Sequence, residues 1–358
     1  MMVSVRWYNA SAHYALALGE GLRRAGQRVV LFGIPASPVL RRAREMGLES
    51  IESIDLMRGP AALRHLRHFR RTVAERGIDI IHPHFSRDHT FAACALLGAA
   101  VPIVRTRSES DPPRGNFLNR LFYRSAAQHY ALPARYLKPT LRRMGIADDR
   151  ISVIPLGMNA RAFSRYVPSR DLRGELGIRP GSAVVSYIGR LHAIKGVEYL
   201  IRSYPLLENK SGVHFVISGE EVDVSRRSLS DLARKLGCQR ISVIDRCDDV
   251  REILSITDIG VIPSVGSEAI CRVALEMLSF GIPIVGSNLN AIPETISDYE
   301  GILVTPCRPD EIAGAIDRLI RRNEYRKRRE RIIGKISSIS LDRMVGDYMD
   351  IYQRLVTE

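Results

Sequence analysis

The sequence predicts an α/β protein with two domains, each built around a parallel β-sheet. In the first half, apolar strands alternate with helical stretches from residue 3 onward, and the same alternation returns at residues 183–320. A segment with several charges and helix-breaking residues, 161–180, separates the two halves. Strands that alternate with helices are typical of doubly wound parallel sheets. We therefore expect two Rossmann-like domains that face each other across a cleft, with the first at 1–160 and the second at 161–340.

The elements of the first domain follow from local apolar patterns. Strands are predicted at residues 3–7, 29–33, 78–84 and 101–106, and helices around 13–25 and 38–46. The stretch 91–104 is the most apolar in the chain, but it is too short to span a bilayer and contains Gly98 and Pro102. We predict a helix, a turn and a strand there.

The most informative part of the second domain is a predicted strand, helix and strand. Residues 258–264 form an apolar run typical of a buried strand, 270–280 a helix that ends at Gly281, and 283–287 the next strand. In such a unit, the loop before the helix lies at the carboxyl edge of the sheet, where ligands of open α/β domains bind. We therefore expect a ligand site at the start of this helix.

Two glutamates, Glu268 and Glu276, lie on this loop and helix. Eight residues of helix rise roughly 12 Å. This is too far for two carboxyl groups to share a proton or to flank one glycosidic bond, where the separation is about 5 to 9.5 Å. We interpret them as two contacts to one long ligand. A nucleotide diphosphate sugar has this length: one carboxylate would bind ribose hydroxyls, the other sugar hydroxyls, and the diphosphate would lie over the helix N-terminus.

The composition limits the function classes further. The chain has 358 residues, 45% of them hydrophobic, and a net charge of +14. Residues 1–165 hold 26 Lys and Arg against 12 Asp and Glu, so the whole excess of positive charge lies in the first half. This asymmetry suggests a negatively charged partner of the first domain: an anionic membrane surface, an anionic acceptor or a nucleic acid.

The cysteines and the start of the chain bear on the compartment. The five cysteines form no C-x-x-C pair, and their odd number argues against a disulfide framework and a zinc site. No signal peptide is expected, because Arg6 and His13 interrupt the early apolar positions. We therefore expect a protein of the reducing cytoplasm. Cys271 is interpreted as a small packing residue and not as a nucleophile.

Several motifs together resemble the retaining glycosyltransferases of the GT-B fold, and in particular glycosyltransferase family 4. Residues 268–276 resemble the family's E-x7-E motif. The resemblance continues, in order and at the usual intervals, in the Gly-Arg and Lys-Gly element at 186–196, the strand and glycine turn at 214–219, the Pro-Glu at 290–294 and the interdomain junction at 153–159. A single E-x7-E would be weak evidence, whereas the ordered set is specific. It implies that residues 341–358 form a helix that crosses back to the first domain.

The resemblance also implies roles for individual residues. Arg190 and Lys195 would hold the donor diphosphate and stabilise the charge that grows on the leaving group, in place of a metal ion. Glu268 would lie near the donor sugar, and Glu276 would bind the ribose. The implied catalytic residues are Arg190, Lys195 and Glu268. The implied donor-binding residues are Gly189, Arg190, Lys195, Glu268, Ala269, Ile270, Cys271, Arg272 and Glu276. No cofactor is expected besides the donor substrate.

The chain differs from the common family pattern around the implied site. Ala269 and Cys271 replace glycines of the usual E-G-F-G stretch. Gly219 is followed by two glutamates where Gly-Asp-Gly-Pro is common, and residues 288–291 replace a double glycine. These differences leave the nucleotide base and the sugar open.

Candidate acceptor residues lie in the first domain. Many relatives have a histidine near the reacting centre where this chain has Arg107. A guanidinium stays protonated near neutral pH, so Arg107 is expected to bind an anionic acceptor or the donor phosphates and not to act as a base. His84 and Asp88, which end another predicted strand, are further acceptor candidates. The cluster at 82–89 could be mistaken for a metal site, but we expect no metal there.

Two basic amphipathic stretches resemble segments that lie on anionic lipid. In the first, arginines surround an apolar helix face formed by Leu63, Leu66, Phe69 and Val73. In the second, Arg114, Arg120 and Arg124 are interleaved with Phe117, Leu118, Leu121 and Phe122. For the first stretch, a surface helix that packs its apolar face on the sheet is at least as good an interpretation.

The predicted function is a retaining glycosyltransferase. It would move a sugar from a nucleotide diphosphate sugar to a cell-envelope glycan or lipid-linked acceptor, as in lipopolysaccharide or polysaccharide biosynthesis, in the cytoplasm or peripherally at the inner face of the cytoplasmic membrane. The resemblance implies front-face attack with the leaving phosphate as the base. Two alternatives stay open: a nucleotide-sugar epimerase or phosphorylase of the same fold, and a basic nucleic-acid-binding module. The second is disfavoured because no nucleic-acid motif is recognisable.

Overall fold

The computed structural model describes residues 1–52, 62–159, 163, 165–336 and 339–357. The chain divides into two compact units: Met1–Gly157 together with Leu341–Glu358, and Met158–Ser340. Each unit is an α/β domain with parallel sheets, as the alternation of strands and helices predicts. The predicted boundary between residues 160 and 161 lies outside the described residues.

The first unit begins with a short strand and a long helix. Its strands are Met2–Val3 (β1), Val30–Gly33 (β2), Glu49–Glu52 (β3), Val104–Thr106 (β4), His129–Leu132 (β5) and Ile151–Val153 (β6). Its helices are Ala10–Arg24 (α1), Pro38–Glu45 (α2), Ala62–Glu75 (α3), Ser86–Ala95 (α4), Phe117–Ser125 (α5), Lys138–Arg143 (α6) and the C-terminal helix, Leu341–Thr357. The helix, turn and strand predicted within 91–104 correspond to the end of α4, the turn after it and the start of β4.

Two three-stranded parallel sheets form the first unit, in the orders β1-β2-β3 and β4-β5-β6. The predicted strand at residues 78–84 lies between them and is reduced to isolated bridges with each sheet. On the β4 side the physical reason is Pro83, because a proline has no backbone N–H to give to the ladder. On the β1 side the partner strand has only two residues. The connection is kept by His84 N, which donates to Met2 O at 3.0 Å, and by the Pro83 carbonyl, which accepts a hydrogen bond from Thr106 N at 3.2 Å.

A buried hydrogen-bond network attaches the C-terminal helix to the first unit. The Tyr348 hydroxyl lies 3.0 Å from the Tyr14 hydroxyl and 2.6 Å from the Thr106 hydroxyl. Both tyrosines are fully buried. Close to them, Gly21 allows the two helices to touch, because a Cβ at this position would lie 2.4 Å from Val345 Cγ2. The C-terminal helix is therefore held to α1 by packing and by paired polar groups.

The second unit repeats the alternation of strands and helices. Its strands are Ala183–Ile188 (β7), Val213–Ser218 (β8), Ile241–Ile244 (β9), Ile259–Ile262 (β10), Ile284–Ser287 (β11) and Ile302–Val304 (β12). Its helices are Leu172–Glu175 (α7), Val197–Ser203 (α8), Arg226–Lys235 (α9), Val250–Ile256 (α10), Arg272–Ser279 (α11), Ile292–Ile296 (α12), Pro309–Ile320 (α13) and Glu324–Lys335 (α14).

The six strands of the second unit form one parallel sheet in the order β12-β11-β10-β7-β8-β9. Strands β7 and β8 pair from Ala183↔Val213 to Ile188↔Ser218, and β10 pairs with β7 through Ile259↔Val185. The central strands are buried along nearly their whole length, as expected for a parallel sheet covered by helices on both faces. Because the chain leaves β7 in one direction and returns on its other side as β10, the strand order reverses between these two strands.

Substitution of Tyr348 by Phe is expected to destabilise the first unit. The change removes the hydroxyl that contacts Tyr14 and Thr106, and it leaves those buried groups with one partner fewer, which costs about 1 to 3 kcal/mol. Denaturant unfolding followed by circular dichroism would measure the change in the free energy of unfolding. Tyr166→Phe is the control, because Tyr166 is only half-buried. An equal loss in both variants would contradict the expectation.

Candidate functional site

The residues predicted to bind the donor lie at the reversal of strand order in the second unit. Residues 189–196 follow β7 and residues 263–271 follow β10, and these two strands are neighbours in the sheet. Ligands of doubly wound sheets bind in the crevice outside the carboxyl ends of the strands at such a switch point. The sheet therefore brings the two predicted donor segments to one place.

Two glycines allow the loop after β7 to pass close to neighbouring backbone. A Cβ on Gly219, at the end of β8, would lie 1.7 Å from the Gly189 carbonyl oxygen. Gly196 has a φ of +65°, and a Cβ there would lie 2.1 Å from the Pro263 carbonyl oxygen. At Gly196 the left-handed conformation disfavours a side chain, and the close contact with Pro263 O leaves no room for one. The glycines thus hold the loops after β7, β8 and β10 against one another.

Lys195 and Glu268 form an ion pair between the two loops. Lys195 Nζ lies 2.6 Å from Glu268 Oε1 and also donates to Ser267 O at 3.1 Å. Ser264 Oγ donates to the same Glu268 oxygen at 2.7 Å. The Lys195 and Glu268 side chains are 15% and 10% exposed. The structure therefore joins the cation predicted to hold the diphosphate to the carboxylate predicted to lie near the donor sugar.

This ion pair and Arg190 differ in what they offer to an anion. A diphosphate that reached Lys195 would compete with the Glu268 carboxylate for the ammonium group. Arg190 is exposed, and among the described residues no hydrogen bond or ion pair engages its guanidinium. Arg190 can therefore meet an anionic ligand without first breaking a contact.

The helix after β10 is shorter than the sequence predicts. It covers Arg272–Ser279 and not residues 270–280, and Cys271 precedes it without a side-chain cap. Ser267 has a φ of +45°, which is uncommon for a residue with a side chain. The carbonyl of Glu268 accepts a hydrogen bond from Ala291 N at 3.0 Å. Glu268 therefore lies in a turned loop, so the helical rise does not describe its separation from the second glutamate.

Glu276 is buried on this helix, with 4% of its surface exposed. Arg272 lies one turn earlier, and its Nε is 2.9 Å from Glu276 Oε1. Burial raises the pKa of Glu276, whereas the Arg272 guanidinium acts in the opposite direction. The sequence suggested a lone buried carboxylate that needs a ligand or a partner. The structure supplies a partner from the same helix.

Cys271 and its two predecessors line the start of the helix. Cys271 packs with Ile262 and Met277 in an apolar cluster, and Ile270 is buried as well. Burial, together with the nearby Glu268 carboxylate, raises the pKa of the Cys271 thiol well above its ordinary value. A protonated thiol is a poor nucleophile, which supports its interpretation as a packing residue.

The acceptor candidates His84 and Asp88 are buried in the first unit. Asp88 Oδ2 accepts a hydrogen bond from Ser4 N at 2.9 Å. Asp88 Oδ1 and His84 Nε2 have no hydrogen-bond partner among the described residues. Burial raises the pKa of Asp88 and lowers the pKa of His84 well below its ordinary value, where His82 and Arg105 add to the effect. His84 is therefore a neutral imidazole, and each candidate has one polar atom to offer a ligand.

Arg107 makes its contacts within its own loop. Its Nη1 donates to Glu109 O at 2.7 Å and its Nη2 to Asp111 O, while Nε has no partner among the described residues. The neighbouring Arg105 is also buried and lies 2.5 Å from Glu109 Oε1. Arg107 thus shapes the loop after β4, and its role in binding an anion stays a prediction.

The histidine cluster is arranged for packing and hydrogen bonding. The rings of His82 and His84 stack with centroids 4.3 Å apart. The two ring nitrogens of His82 contact the hydroxyls of Tyr352 and Thr106 at 2.6 and 2.7 Å. Within the described part of the chain, no group of three or more His, Cys, Asp or Glu side chains is placed to hold a metal ion. That the reaction needs no metal stays a prediction.

Two residues that shape the donor segment were missed by sequence reasoning. Ser264 holds the Glu268 carboxylate, and the Tyr187 hydroxyl donates to Arg190 O at 2.7 Å. Burial, with a smaller contribution from Glu268, raises the pKa of Tyr187, so its hydroxyl keeps its proton. Ser264 is visible in the sequence as the last residue of the predicted strand, but no local pattern shows which way its side chain points.

Comparison with protein families identifies the class of the protein. The model described as "Glycosyltransferase Family 4" matches residues 11–161, and the model described as "Glycosyl transferases group 1" matches residues 168–335. Together they account for most of both units. The chain therefore belongs to glycosyltransferase family 4, which confirms the resemblance found in the motifs.

Solved structures and curated relatives agree with this assignment. Anabaena HepE, solved in complex with UDP, has a TM-score of 0.85 and 16% identity over 99% of this chain and 98% of its own, which supports the GT-B fold. An uncharacterized glycosyltransferase of Methanocaldococcus jannaschii is 32% identical over 180 residues, 48% of this chain and 45% of the relative. The lipopolysaccharide 1,2-N-acetylglucosaminetransferase of Salmonella typhimurium is 27% identical over 203 residues, 53% of this chain and 52% of the relative. The chain thus spans about half the length of the curated relatives that it matches.

Substitution of Gly196 by Ala is expected to disrupt the site more than a matched glycine substitution. Gly177 has a similar φ of +62°, but a Cβ at Gly177 meets no atom within 4 Å. Gly177→Ala therefore costs about 1 to 2 kcal/mol for the left-handed conformation alone. Gly196→Ala adds the clash with Pro263 O, and its loss of unfolding free energy in urea should exceed that of Gly177→Ala. Equal losses would show that the loops after β7 and β10 are not in close contact.

Proposed function

We propose that this protein is a retaining glycosyltransferase that moves a sugar from a nucleotide diphosphate sugar to a cell-envelope glycan or a lipid-linked acceptor. The donor would bind to the second unit, and the acceptor would bind to the first unit. The observation that carries the proposal is the convergence of Arg190, Lys195 and Glu268 at the switch point of the second sheet, beside the N-terminus of α11. Such a place suits a ligand with a diphosphate and hydroxyl groups.

The Lys195 to Glu268 ion pair suggests how the donor is received. The diphosphate would take the Lys195 ammonium as its partner, with Arg190 as a second cation. Glu268 would then be free to accept hydrogen bonds from sugar hydroxyls, still held by Ser264 Oγ at 2.7 Å. The two cations would stabilise the negative charge that develops on the departing nucleoside diphosphate. In this proposal no metal ion is required, because the two cations supply the positive charge that a metal ion would otherwise provide.

The donor and acceptor classes have separate support. HepE, which shares the fold, was solved in complex with UDP, and this supports a nucleoside diphosphate ligand here. The Salmonella relative is named as a lipopolysaccharide transferase, and this supports a cell-envelope acceptor. On the acceptor side we propose His84, Asp88 and Arg107. Retention of configuration would follow from front-face attack with the leaving phosphate as the base.

Lys195→Ala and Glu276→Ala are expected to lower kcat/KM for sugar transfer by about 100- to 1,000-fold, since each removes a charged contact to the donor. The donor is first identified by a thermal-shift screen of UDP-, GDP- and ADP-sugars, because a ligand that binds the folded state raises Tm. Transfer is then measured with that donor and a lipid-linked or lipopolysaccharide acceptor.

Arg202→Gln is the control for these substitutions, because Arg202 pairs with Glu198 on the exposed side of α8. Unchanged transfer in both Lys195→Ala and Glu276→Ala would overturn the proposed donor site. Product analysis separates the alternatives: an epimerase converts the donor without an acceptor, and a phosphorylase needs phosphate. Salt-dependent nucleic-acid binding without any turnover of nucleotide sugars would favour a nucleic-acid-binding module.

We further propose that α5 is where the protein meets an anionic membrane. Phe117, Leu118 and Leu121 on this helix are 77%, 73% and 55% exposed. Exposed apolar side chains among arginines suit the interface of an anionic bilayer. Helix α3, the other basic stretch, buries Phe69 and Val73, which supports its alternative interpretation as a packed surface helix. Among the described helices, none has the length and apolar character that crossing a membrane requires.

The double substitution Leu118→Glu with Leu121→Glu is expected to weaken binding to phosphatidylglycerol vesicles by about tenfold or more. It removes two apolar contacts and adds two negative charges, which the anionic lipid head groups repel. Cosedimentation at low and physiological salt would measure the binding. Leu97→Glu is the control, because Leu97, which follows α4, is an exposed leucine of the first unit outside α5. This variant should bind the vesicles like the wild type. If all three proteins sediment equally with the vesicles, α5 is not the contact.

A further inference from the structure

We propose that Arg272 is a positioning residue that acts through Glu276: its guanidinium keeps the buried Glu276 side chain as an oriented carboxylate for the hydroxyls of the nucleotide ribose. This inference rests on the proposed function, because it assigns Glu276 to the donor. It goes further by giving Arg272 a role that depends on its side chain and on no contact with the donor itself.

Glu276 is 4% exposed and belongs to a helix that is mostly buried. The residues next to it, Leu275 and Met277, are buried, and Met277 belongs to the apolar cluster beneath the helix. A carboxylate in such surroundings is costly unless it is paired and hydrogen-bonded. The ion pair to Arg272 Nε at 2.9 Å meets this requirement. Loss of the guanidinium would shift Glu276 toward its protonated form, which accepts fewer hydrogen bonds from a diol.

Helix stability does not account for an arginine at position 272. Arg272 is the first residue of α11, and a cation at a helix N-terminus opposes the helix dipole. An arginine four residues before a glutamate is also the less favourable order for such a pair. The exposed pair Glu198 and Arg202 on α8 has the favourable order, with the acid in the first turn and the base in the last. Arg272 is therefore placed where it serves the carboxylate and not the helix.

Among the described residues, Arg272 is the cation that acts on Glu276. Helix α11 packs against β10, β11, α12 and α14, and the two strands carry no titratable side chain. On the two helices, Glu294 is exposed, Arg328 pairs with Glu324, and Arg329 lies beside Gly281 at the other end of α11. The nearby Cys271 thiol is protonated. Burial raises the pKa of Glu276, and Arg272 is the group that opposes this shift.

The sign of the pH dependence follows from these contributions. A carboxyl group whose pKa is raised by folding favours the folded state while it is protonated, and this stability is lost as the pH rises through the raised pKa. Loss of the guanidinium raises the pKa of Glu276 further, so the loss of stability becomes larger. The difference in Tm between wild type and Arg272→Gln should therefore be small at pH 5 and grow toward pH 8.

The first experiment needs no donor. Tm is measured from pH 5 to pH 8.5 for the wild type and for Arg272→Gln, Arg272→Lys and the matched control Arg202→Gln. We expect the gap between wild type and Arg272→Gln to open by about 2 to 4 °C over this range. Arg272→Lys should close most of the gap, and Arg202→Gln should show none. A gap that is the same at every pH would overturn the ion-pair role.

The second experiment measures binding of UDP, GDP and ADP by calorimetry at pH 6 and pH 8.5. Arg272→Gln is expected to weaken binding of the nucleotide that the wild type prefers by about 10- to 100-fold at pH 6 and clearly less at pH 8.5, because one pKa unit corresponds to tenfold. Arg272→Lys should bind within about threefold of the wild type. A loss in Arg272→Gln that is equal at both pH values would show direct contact with the diphosphate and overturn the proposal.

The double variant Arg272→Gln with Glu276→Gln separates the two roles. If Arg272 acts through Glu276, the double variant should bind no more weakly than Glu276→Gln alone. Additive losses would overturn the proposal while leaving the proposed function intact. If the wild type binds none of the three nucleotides, the proposed function fails together with the role in donor binding. The donor-free comparison then still decides whether Arg272 keeps Glu276 ionised.

Discussion

The parallel pairing of β10 with β7 is the constraint on which the site depends. Through Ile259↔Val185 and Gly260↔Ser186 it places the ends of two strands side by side that lie far apart in the chain. The loop that carries Lys195 and the loop that carries Glu268 then leave the sheet at the same edge. Glycines allow these loops to lie close together. At Gly196, for example, a side chain would collide with Pro263 O, so the two loops leave no room for one between them.

Electrostatics adds a second constraint within this geometry. The two glutamates of the site are both mostly buried, and each has its own cation: Lys195 for Glu268 and Arg272 for Glu276. The two ion pairs differ in how they would respond to an anionic ligand. The first joins two loops and would have to exchange its partner, whereas the second lies within one helix and can stay closed. The site thus combines Glu276, a carboxylate already paired on its own helix, with Lys195, a loop cation that an anionic ligand would bind only by displacing Glu268.

The first unit shows how a sheet is joined where one strand is irregular. Pro83 interrupts the ladder between the two three-stranded sheets, and the surrounding segment connects them through isolated bridges. The same region carries His84 and, one helix turn further, Asp88, each with a buried polar atom that lacks a protein partner among the described residues. Buried polar groups are normally paired, and these two atoms share the exception with other described atoms of the first unit, among them Arg107 Nε and Glu109 Oε2.

The sequence by itself determined the fold class. Its strands are continuously apolar and alternate with helices, and such strands have few ways to bury both faces other than a parallel sheet covered by helices on each side. It also predicted which segments would bind a donor, since their motifs lie within short stretches of chain, and the sheet places these segments at neighbouring strands. It could not determine that Lys195 pairs with Glu268, that Ser264 holds the same carboxylate, or that Arg107 contacts Glu109 O and Asp111 O. Those contacts join distant residues or depend on the turn of a loop. Only the tertiary structure decided them, because side-chain direction in a loop follows from the packing of the whole domain and not from neighbouring residues.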